Sequence, residues 1–256
     1  MTAWDADRYL QFADERTQPA IDLVGRIALR DPARIVDLGC GPGNSTAVLR
    51  RRWPAAAIVG LDNSPAMIAA AAREYPAGTW VQADLATWVA DAPFDLVFAN
   101  ATLQWLPDHD TLFPRLLGQV APGGALAVQM PARLYARVQQ LLLDVAADPA
   151  WRDRLAAARD ALAVGPPGFY YDLLRPLAAR LDLWETEYVH AMTSHAAIVD
   201  WVRGTRLRTF LAALADEAEQ RRFEERLLAA VAAGYPPQRD GRFLFPFRRL
   251  FLIAYR

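Results

Sequence analysis

The sequence predicts an α/β protein built on a doubly wound, mostly parallel sheet, with a helical cap inserted after the fifth strand. Three observations carry that expectation. From Arg34 onward, short apolar runs alternate with longer segments of helical period, as βαβ units around a parallel sheet require. A glycine-rich turn, Gly39-Cys40-Gly41-Pro42-Gly43, separates the first run from the first helical segment. Polar residues end four successive runs, at Asp37, Asp62, Asp84 and Asn100, the position where open parallel sheets bind ligands.

The strand-length runs are Arg34 to Leu38, Ala57 to Asp62, Thr79 to Asp84, Phe94 to Ala99 and Ala125 to Gln129, several of them rich in β-branched residues. Between them Ser45 to Arg52, Pro65 to Glu74 and Thr111 to Val120 read as helices, with Asn44 or Ser45 and then Ser64 at capping positions and Pro65 suited to a first turn. Pro122-Gly123-Gly124 predicts a turn into the fifth strand. Beyond Met130 the strand signal gives way to helical patterns at Leu134 to Ala147, Trp151 to Val164 and Tyr170 to Arg180. Strand character returns at Leu181 to His190 and Phe243 to Tyr255, a pair suited to closing one sheet edge, with helices Ala196 to Leu214 and Asp216 to Ala233 between them. The expected organisation is one domain over 1–256, with a core at about 30–131, 181–192 and 241–256 and a helical cap at about 1–28, 132–180 and 195–236.

Composition narrows the function. Lys plus Arg number 28 against 29 Asp plus Glu, a net charge of −1, which argues against a nucleic-acid partner held by phosphate contacts and for a small ligand. The single cysteine, Cys40, excludes an internal disulfide framework, and one Cys with three His gives no zinc-type cluster, so no metal is expected. Charges at Asp5, Asp7, Arg8, Asp14, Glu15 and Arg16 leave no signal-peptide apolar core, and no apolar run reaches the roughly 18 residues a membrane span needs. A cytoplasmic protein with no membrane partner is expected; nothing fixes the oligomeric state, and a monomer is compatible with the sequence.

A glycine turn alone is common to nucleotide-binding α/β folds, but its spacing discriminates. Glycines fall at 39, 41 and 43, and Asn44 stands where the dinucleotide fingerprint needs its third glycine; Pro42 removes an amide that a pyrophosphate would use. No Gly-Lys-Ser/Thr follows, which excludes a P-loop. The acidic residues suit a ligand that combines adenosine with a cationic sulfonium and an amino-acid end. Asp37 would attract the sulfonium or ammonium and repel a diphosphate. Asp62 sits where an acid accepts both ribose hydroxyls, and Asp84 or the amide of Leu85 would meet the adenine edge. Asn100 completes the row.

These motifs resemble the class I methyltransferases, a Rossmann-like family that uses S-adenosyl-L-methionine and releases S-adenosyl-L-homocysteine, and within it the trans-aconitate 2-methyltransferase family. The resemblance spans nearly the whole chain. It rests on Trp4-Asp5-x-x-x-Tyr9-Leu10-x-Phe12, the segment from Asp37 to Thr46, Asp62-Asn63-Ser64-Pro65-Ala66-Met67-Ile68, Ala99 to His109, Leu126 to Pro131, Asp182 to Thr186, Asp200-Trp201-Val202, and Tyr235-Pro236-Pro237 with Asp240-Gly241-Arg242. It implies methylation of a small-molecule carboxylate, trans-aconitate, to a monomethyl ester, with Asp37, Gly39, Gly41, Gly43, Asp62, Asn63, Met67, Asp84, Leu85 and Asn100 as the cofactor-binding residues. The chain departs from the family after Pro131, where Ala132 to Val138 lacks the family's polar residues, and at Arg206-Leu207-Arg208-Thr209. Both departures bear on the acceptor.

A carboxylate is ionised at neutral pH, so its methylation needs alignment rather than a general base. Trp105 offers an indole N–H to the acceptor, and His109, Tyr9 and Arg16 are further substrate-positioning candidates, with Tyr9 and Phe12 spaced to form a lid. Arg206, Arg208, Arg248 and Arg249 lie in segments able to supply cations for a tricarboxylate. Cys40 reads as apolar filler against the sheet. Three alternatives stay open here: a methyltransferase for another acid or an oxygen or nitrogen acceptor, an NAD-dependent oxidoreductase, and a non-catalytic cofactor-binding protein.

Overall fold

The computed structural model describes residues 13–132, 136–160, 164–203 and 206–256, with backbone alone for 13–16 and 160. Its seven strands are β1 (Arg34–Leu38), β2 (Ala57–Asp62), β3 (Thr79–Gln82), β4 (Phe94–Asn100), β5 (Val120–Pro131), β6 (Arg180–Met192) and β7 (Phe243–Tyr255). They form one sheet in the order β3-β2-β1-β4-β5-β7-β6. The first five pair in parallel, and β7 runs antiparallel to β5. The expected α/β class and the late edge-closing strands are both present. Strand order reverses between β1 and β4, which opens a crevice at their carboxyl ends.

The described helices are α1 (Ala13–Arg26), α2 (Asn44–Arg52), α3 (Pro65–Glu74), α4 (His109–Gly118), α5 (Arg137–Ala146), α6 (Ala156–Asp160), α7 (Pro167–Leu174), α8 (His195–Arg203), α9 (Leu207–Ala212) and α10 (Glu217–Gly234), with a 3₁₀ turn at Leu103–Trp105. Among the described residues no helix is long and apolar enough to cross a membrane.

Several boundaries differ from expectation for local reasons. Ser64 caps α3 with Pro65 in its first turn as predicted, but Gly43, not Asn44 or Ser45, caps α2, in the left-handed conformation and without a side-chain bond. The strand at Thr79 stops at Gln82, because Asp84 opens a turn in which its Oδ1 accepts the N–H of Ala86. The helix expected from Thr111 starts at His109 and ends at Gly118, so β5 begins at Val120 and takes in Pro122 to Gly124. Of the pattern from Trp151, the described residues are helical over Ala156–Asp160, and 161–163 lie outside the described residues; near its start, Asp148 Oδ1 accepts the N–H of Ala150 in a turn. The helix expected at Tyr170 begins at Pro167, a residue suited to a first turn, and stops two residues before Pro176. The long pattern from Ala196 divides into α8 and α9.

The chain forms two compact units. The first takes the described parts of residues 1–132, 163–186 and 249–256. Its core is the sheet interior: Ile35, Leu38, Leu96, Phe98, Leu126, Val128, Phe251 and Ile253 are all fully buried. Side chains from β1, β4 and β5 are buried on both faces, as a doubly covered parallel sheet requires. Trp184 stacks on Phe251 at 4.9 Å and is covered by the Arg26 guanidinium.

The second unit takes the described parts of 133–162 and 187–248. Here α10 packs on α5 and α8. Phe223 meets Trp151 edge-on and stacks with Phe210, and Trp201 packs on Phe245 and Phe247. Tyr235 accepts the N–H of Val138 at the start of α5, Arg203 pairs with Glu224, and Arg154 pairs with Glu219.

Candidate active site

The glycine turn leaves β1 and enters α2 at the sheet's topological switch. Gly39 and Gly41 have positive φ, of 68° and 55°, a region that costs a side-chain-bearing residue about 1–2 kcal/mol. At Gly39 a β-carbon would also lie 2.2 Å from the Thr102 side chain, so that position admits glycine alone. Gly43 serves packing: a β-carbon there would strike the rings of Tyr75 and Trp80.

Two aspartates hold the turn. Asp62, ending β2, accepts the N–H of Gly41 at 3.0 Å through Oδ2 and that of Ser64 at 2.9 Å through Oδ1. Burial raises its carboxyl pKa, and the amides of Ser64, Gly41 and Asn63 act in the opposite direction. Asp37 is fully buried behind the turn, where Oδ2 accepts the hydroxyls of Ser45 at 2.7 Å and Thr46 at 2.6 Å. Burial pushes its pKa up to about 6 against the pull of those two hydroxyls. Cys40 is buried beside them, its thiol raised by burial and then by Asp37 and Asp62, an inert filler.

A narrow cleft lies at this point, lined by Thr17, Gly39, Cys40, Pro42, Asn44, Ser45 and Asn100. Among the described residues no basic side chain lines it. Three buried acceptor atoms, Asp37 Oδ1, Asn100 Oδ1 and Gln104 Oε1, have no hydrogen-bond partner among the described residues. Buried acceptors without partners suit a ligand that brings its own hydrogen-bond donors.

The other predicted cofactor residues surround the same turn in sequence but differ in setting. Asn63 is exposed, and its carbonyl accepts Gln82 Nε2 at 3.4 Å. Met67 is buried in the first turn of α3. Asp84 begins a turn after β3, and Leu85 is buried with its carbonyl held by Arg115 at 2.8 Å.

Of the substrate candidates, Trp105 is 39% exposed, in the turn that follows β4. Ala101, at the start of that turn, adopts φ 54°, and its carbonyl receives Gln104 Nε2 at 2.7 Å. His109 is held by protein partners on both ring nitrogens. It is buried, its Nε2 reaches the Leu103 carbonyl at 2.9 Å, and its Nδ1 reaches the Tyr170 hydroxyl at 2.7 Å. Because a carbonyl only accepts, Nε2 carries the proton and Nδ1 accepts from Tyr170, whose oxygen in turn accepts the Gly165 N–H at 3.0 Å. The neutral ring thus ties the Leu103–Trp105 turn to α7. Tyr9 and Phe12 lie outside the described residues, as does the Arg16 side chain.

Tyr170→Phe should therefore lower stability by about 1–3 kcal/mol, the cost of leaving Gly165 N–H and His109 Nδ1 unsatisfied. Burial holds His109 below the usual imidazole range, so the folded state keeps it neutral while the unfolded chain protonates near pH ~6.5. Its stabilising contribution is full above that value and is lost as pH falls toward the depressed folded value. Urea denaturation at pH 7.5 tests the substitution; a difference under about 0.5 kcal/mol would remove the role assigned to Tyr170.

Sequence reasoning missed Thr17, Thr102, Tyr170 and Gln129. Thr102, just after β4, supports Gly39, its hydroxyl 3.2 Å from the Gly39 carbonyl, a contact across 63 positions that no local motif signals.

This architecture, with its glycine turn and acidic strand ends, is that of a class I methyltransferase. A methyltransferase-domain family model matches residues 35–124. Among solved structures, phosphoethanolamine N-methyltransferase 2 of Haemonchus contortus, in complex with S-adenosyl-L-methionine, superposes with a TM-score of 0.59 at 14% identity, covering 97% of this chain and 56% of that one. YcgJ of Bacillus subtilis gives 0.57 at 13%, covering 93% and 98%. Curated relatives are far more similar: the trans-aconitate 2-methyltransferases of Azoarcus sp. strain BH72 (51% identical, 100% of each chain) and Methylobacterium nodulans (53%, covering 100% of this chain and 99% of the relative). The chain belongs to the trans-aconitate 2-methyltransferase family.

Proposed function

We propose that the protein transfers a methyl group from S-adenosyl-L-methionine to a carboxylate of trans-aconitate, forming a monomethyl ester. The observation that carries the cofactor assignment is the cleft at the β1–β4 switch, with buried acceptors at Asp37 and Asn100 that lack a partner among the described residues. Full-length identity of about half to trans-aconitate 2-methyltransferases supports the acceptor.

When bound, S-adenosyl-L-methionine supplies an electrophilic methyl group on a sulfonium. The chain's task is placement. Asp37 provides negative charge behind the turn, and Asn100 an acceptor at the end of β4. Asp62 retains lone pairs beyond those given to Gly41 and Ser64, enough to accept ribose hydroxyls. Asp84, Leu85, Asn63 and Met67 are assigned to the adenine side, and Gly39, Gly41 and Gly43 to close backbone approach. The acceptor carboxylate is ionised at neutral pH, so no side chain need act as a base; it must be held in line with the methyl group and kept from water. Trp105, half-exposed with an indole N–H, is assigned to acceptor positioning.

Incubation with methyl-labelled donor and trans-aconitate should yield a base-labile ester carrying one methyl group. Transfer to another acid, or to an oxygen or nitrogen acceptor, with trans-aconitate unlabelled would overturn the acceptor. S-adenosyl-L-homocysteine should raise the melting temperature and NAD(H) should not; the reverse would overturn the cofactor.

A further inference from the structure

The carboxyl-end row of the sheet continues past the cofactor cleft. Asn100 of β4 is in register with Gln129 of β5, and β5 pairs onward with β7, Gln129 opposite Phe251 and Pro131 opposite Arg249. Gln129 is fully buried, and Arg249, 4% exposed, is the one arginine classed as buried among the described residues. A buried guanidinium needs polar partners for its donors. Its Nη1 donates to Gln129 Oε1 at a long 3.4 Å.

That contact sets the orientation of the Gln129 amide. With Oε1 turned to Arg249, Nε2 is directed away from it, and this buried donor has no acceptor among the described residues. A buried amide donor beside a guanidinium is chemically suited to acceptor-only oxygens, and a carboxylate is the ordinary group that offers them. Gln129 adjoins Asn100 in the sheet, but neither Gln129 nor Arg249 is among the residues that line the cofactor cleft.

Resting on the reading that the acceptor is an anionic carboxylic acid, we propose that Gln129 and Arg249 form the receptor for a non-reacting carboxylate of that acid. The pair would hold one carboxylate fixed so that another is presented for transfer, and would select polycarboxylates over neutral acceptors. Such a receptor is invisible in a motif scan, since its members stand 120 positions apart.

Gln129→Glu tests this. It preserves size and should keep the fold by pairing with Arg249, while it replaces the Nε2 donor with a negative charge where the acid's carboxylate belongs. Calorimetry on the protein saturated with S-adenosyl-L-homocysteine should show trans-aconitate affinity at least 30-fold weaker, with KM for trans-aconitate raised in step, S-adenosyl-L-homocysteine affinity within twofold of wild type and the melting temperature not lowered. Gln129→Met, which removes both amide ends at similar volume, should weaken trans-aconitate about tenfold, again without moving cofactor affinity. Trans-aconitate affinity within threefold of wild type in both variants would overturn the proposal, as would a parallel loss of cofactor and acceptor affinity in both. If the wild-type protein esterifies a different acid, the function reading fails and the variants are scored with that acid; if it esterifies none, both fall.

Discussion

Asp62→Ala should weaken S-adenosyl-L-homocysteine binding about 100-fold or more while leaving the sheet folded. The carboxylate joins three pieces of backbone. It ends β2, takes the Gly41 amide from the turn after β1, and takes the Ser64 amide at the cap of α3. Hydrogen bonds to a charged group contribute about 1.5–3 kcal/mol each, so losing both releases the turn from its left-handed geometry as well as removing the acceptor assigned to ribose. Tenfold in affinity corresponds to about 1.4 kcal/mol, and two such bonds plus a ligand contact exceed the ~2.7 kcal/mol that 100-fold needs. Asp62→Asn keeps one acceptor oxygen and should cost about tenfold. Titration calorimetry with circular dichroism as the folding control checks both. A dissociation constant for the alanine variant within threefold of wild type would remove Asp62 from the site.

The parts of this site that were legible in the sequence are those built from near neighbours. Gly39, Gly41, Asp62 and Asn100 each end or follow an apolar run, and the period-2 and period-3.6 patterns place such positions at one sheet end. The cap at Ser64-Pro65 is equally local. What stayed illegible depends on pairing at long range. His109 carries no local sign that Tyr170, 61 positions on, will occupy its Nδ1. Arg249 looks like its exposed neighbour Arg248 until β7 is laid against β5. Helix breaks were misread for a different reason: alanine-rich stretches such as Ala156 to Ala163 satisfy helix propensity throughout, and side-chain bonds such as that of Asp148 to the Ala150 N–H compete with it. Ser45 and Thr46 show the same competition, since their hydroxyls go to Asp37 rather than to a helix cap.

That choice leads to the second large effect: Asp37→Asn should stabilise the ligand-free protein and weaken S-adenosyl-L-methionine. The native carboxyl pKa is raised to about 6 from 3.8, chiefly by burial. A raised acid pKa means that the folded state holds the proton more tightly than the unfolded chain. The associated stability is complete below pH 3.8, declines as pH rises through about 6, and is absent above it. At 1.36 kcal/mol per unit, keeping the buried carboxylate ionised at pH 7 costs about 3 kcal/mol. Asparagine still accepts the Ser45 and Thr46 hydroxyls but directs an amide where Oδ1 now lacks a partner, a penalty of about 1–2 kcal/mol, so a net gain near 1–2 kcal/mol is expected. In the proposed cofactor site, a negative charge behind the turn would attract a sulfonium and an ammonium and so offset that cost. A bound cation should in turn draw the Asp37 pKa down, so wild-type affinity for S-adenosyl-L-methionine should rise as pH passes from 5 to 7, and the variant's should stay flat at a lower level. Denaturation and calorimetry across that range separate the two effects. A variant that is both less stable at pH 7 and as pH-dependent in binding as wild type would show that Asp37 is structural only.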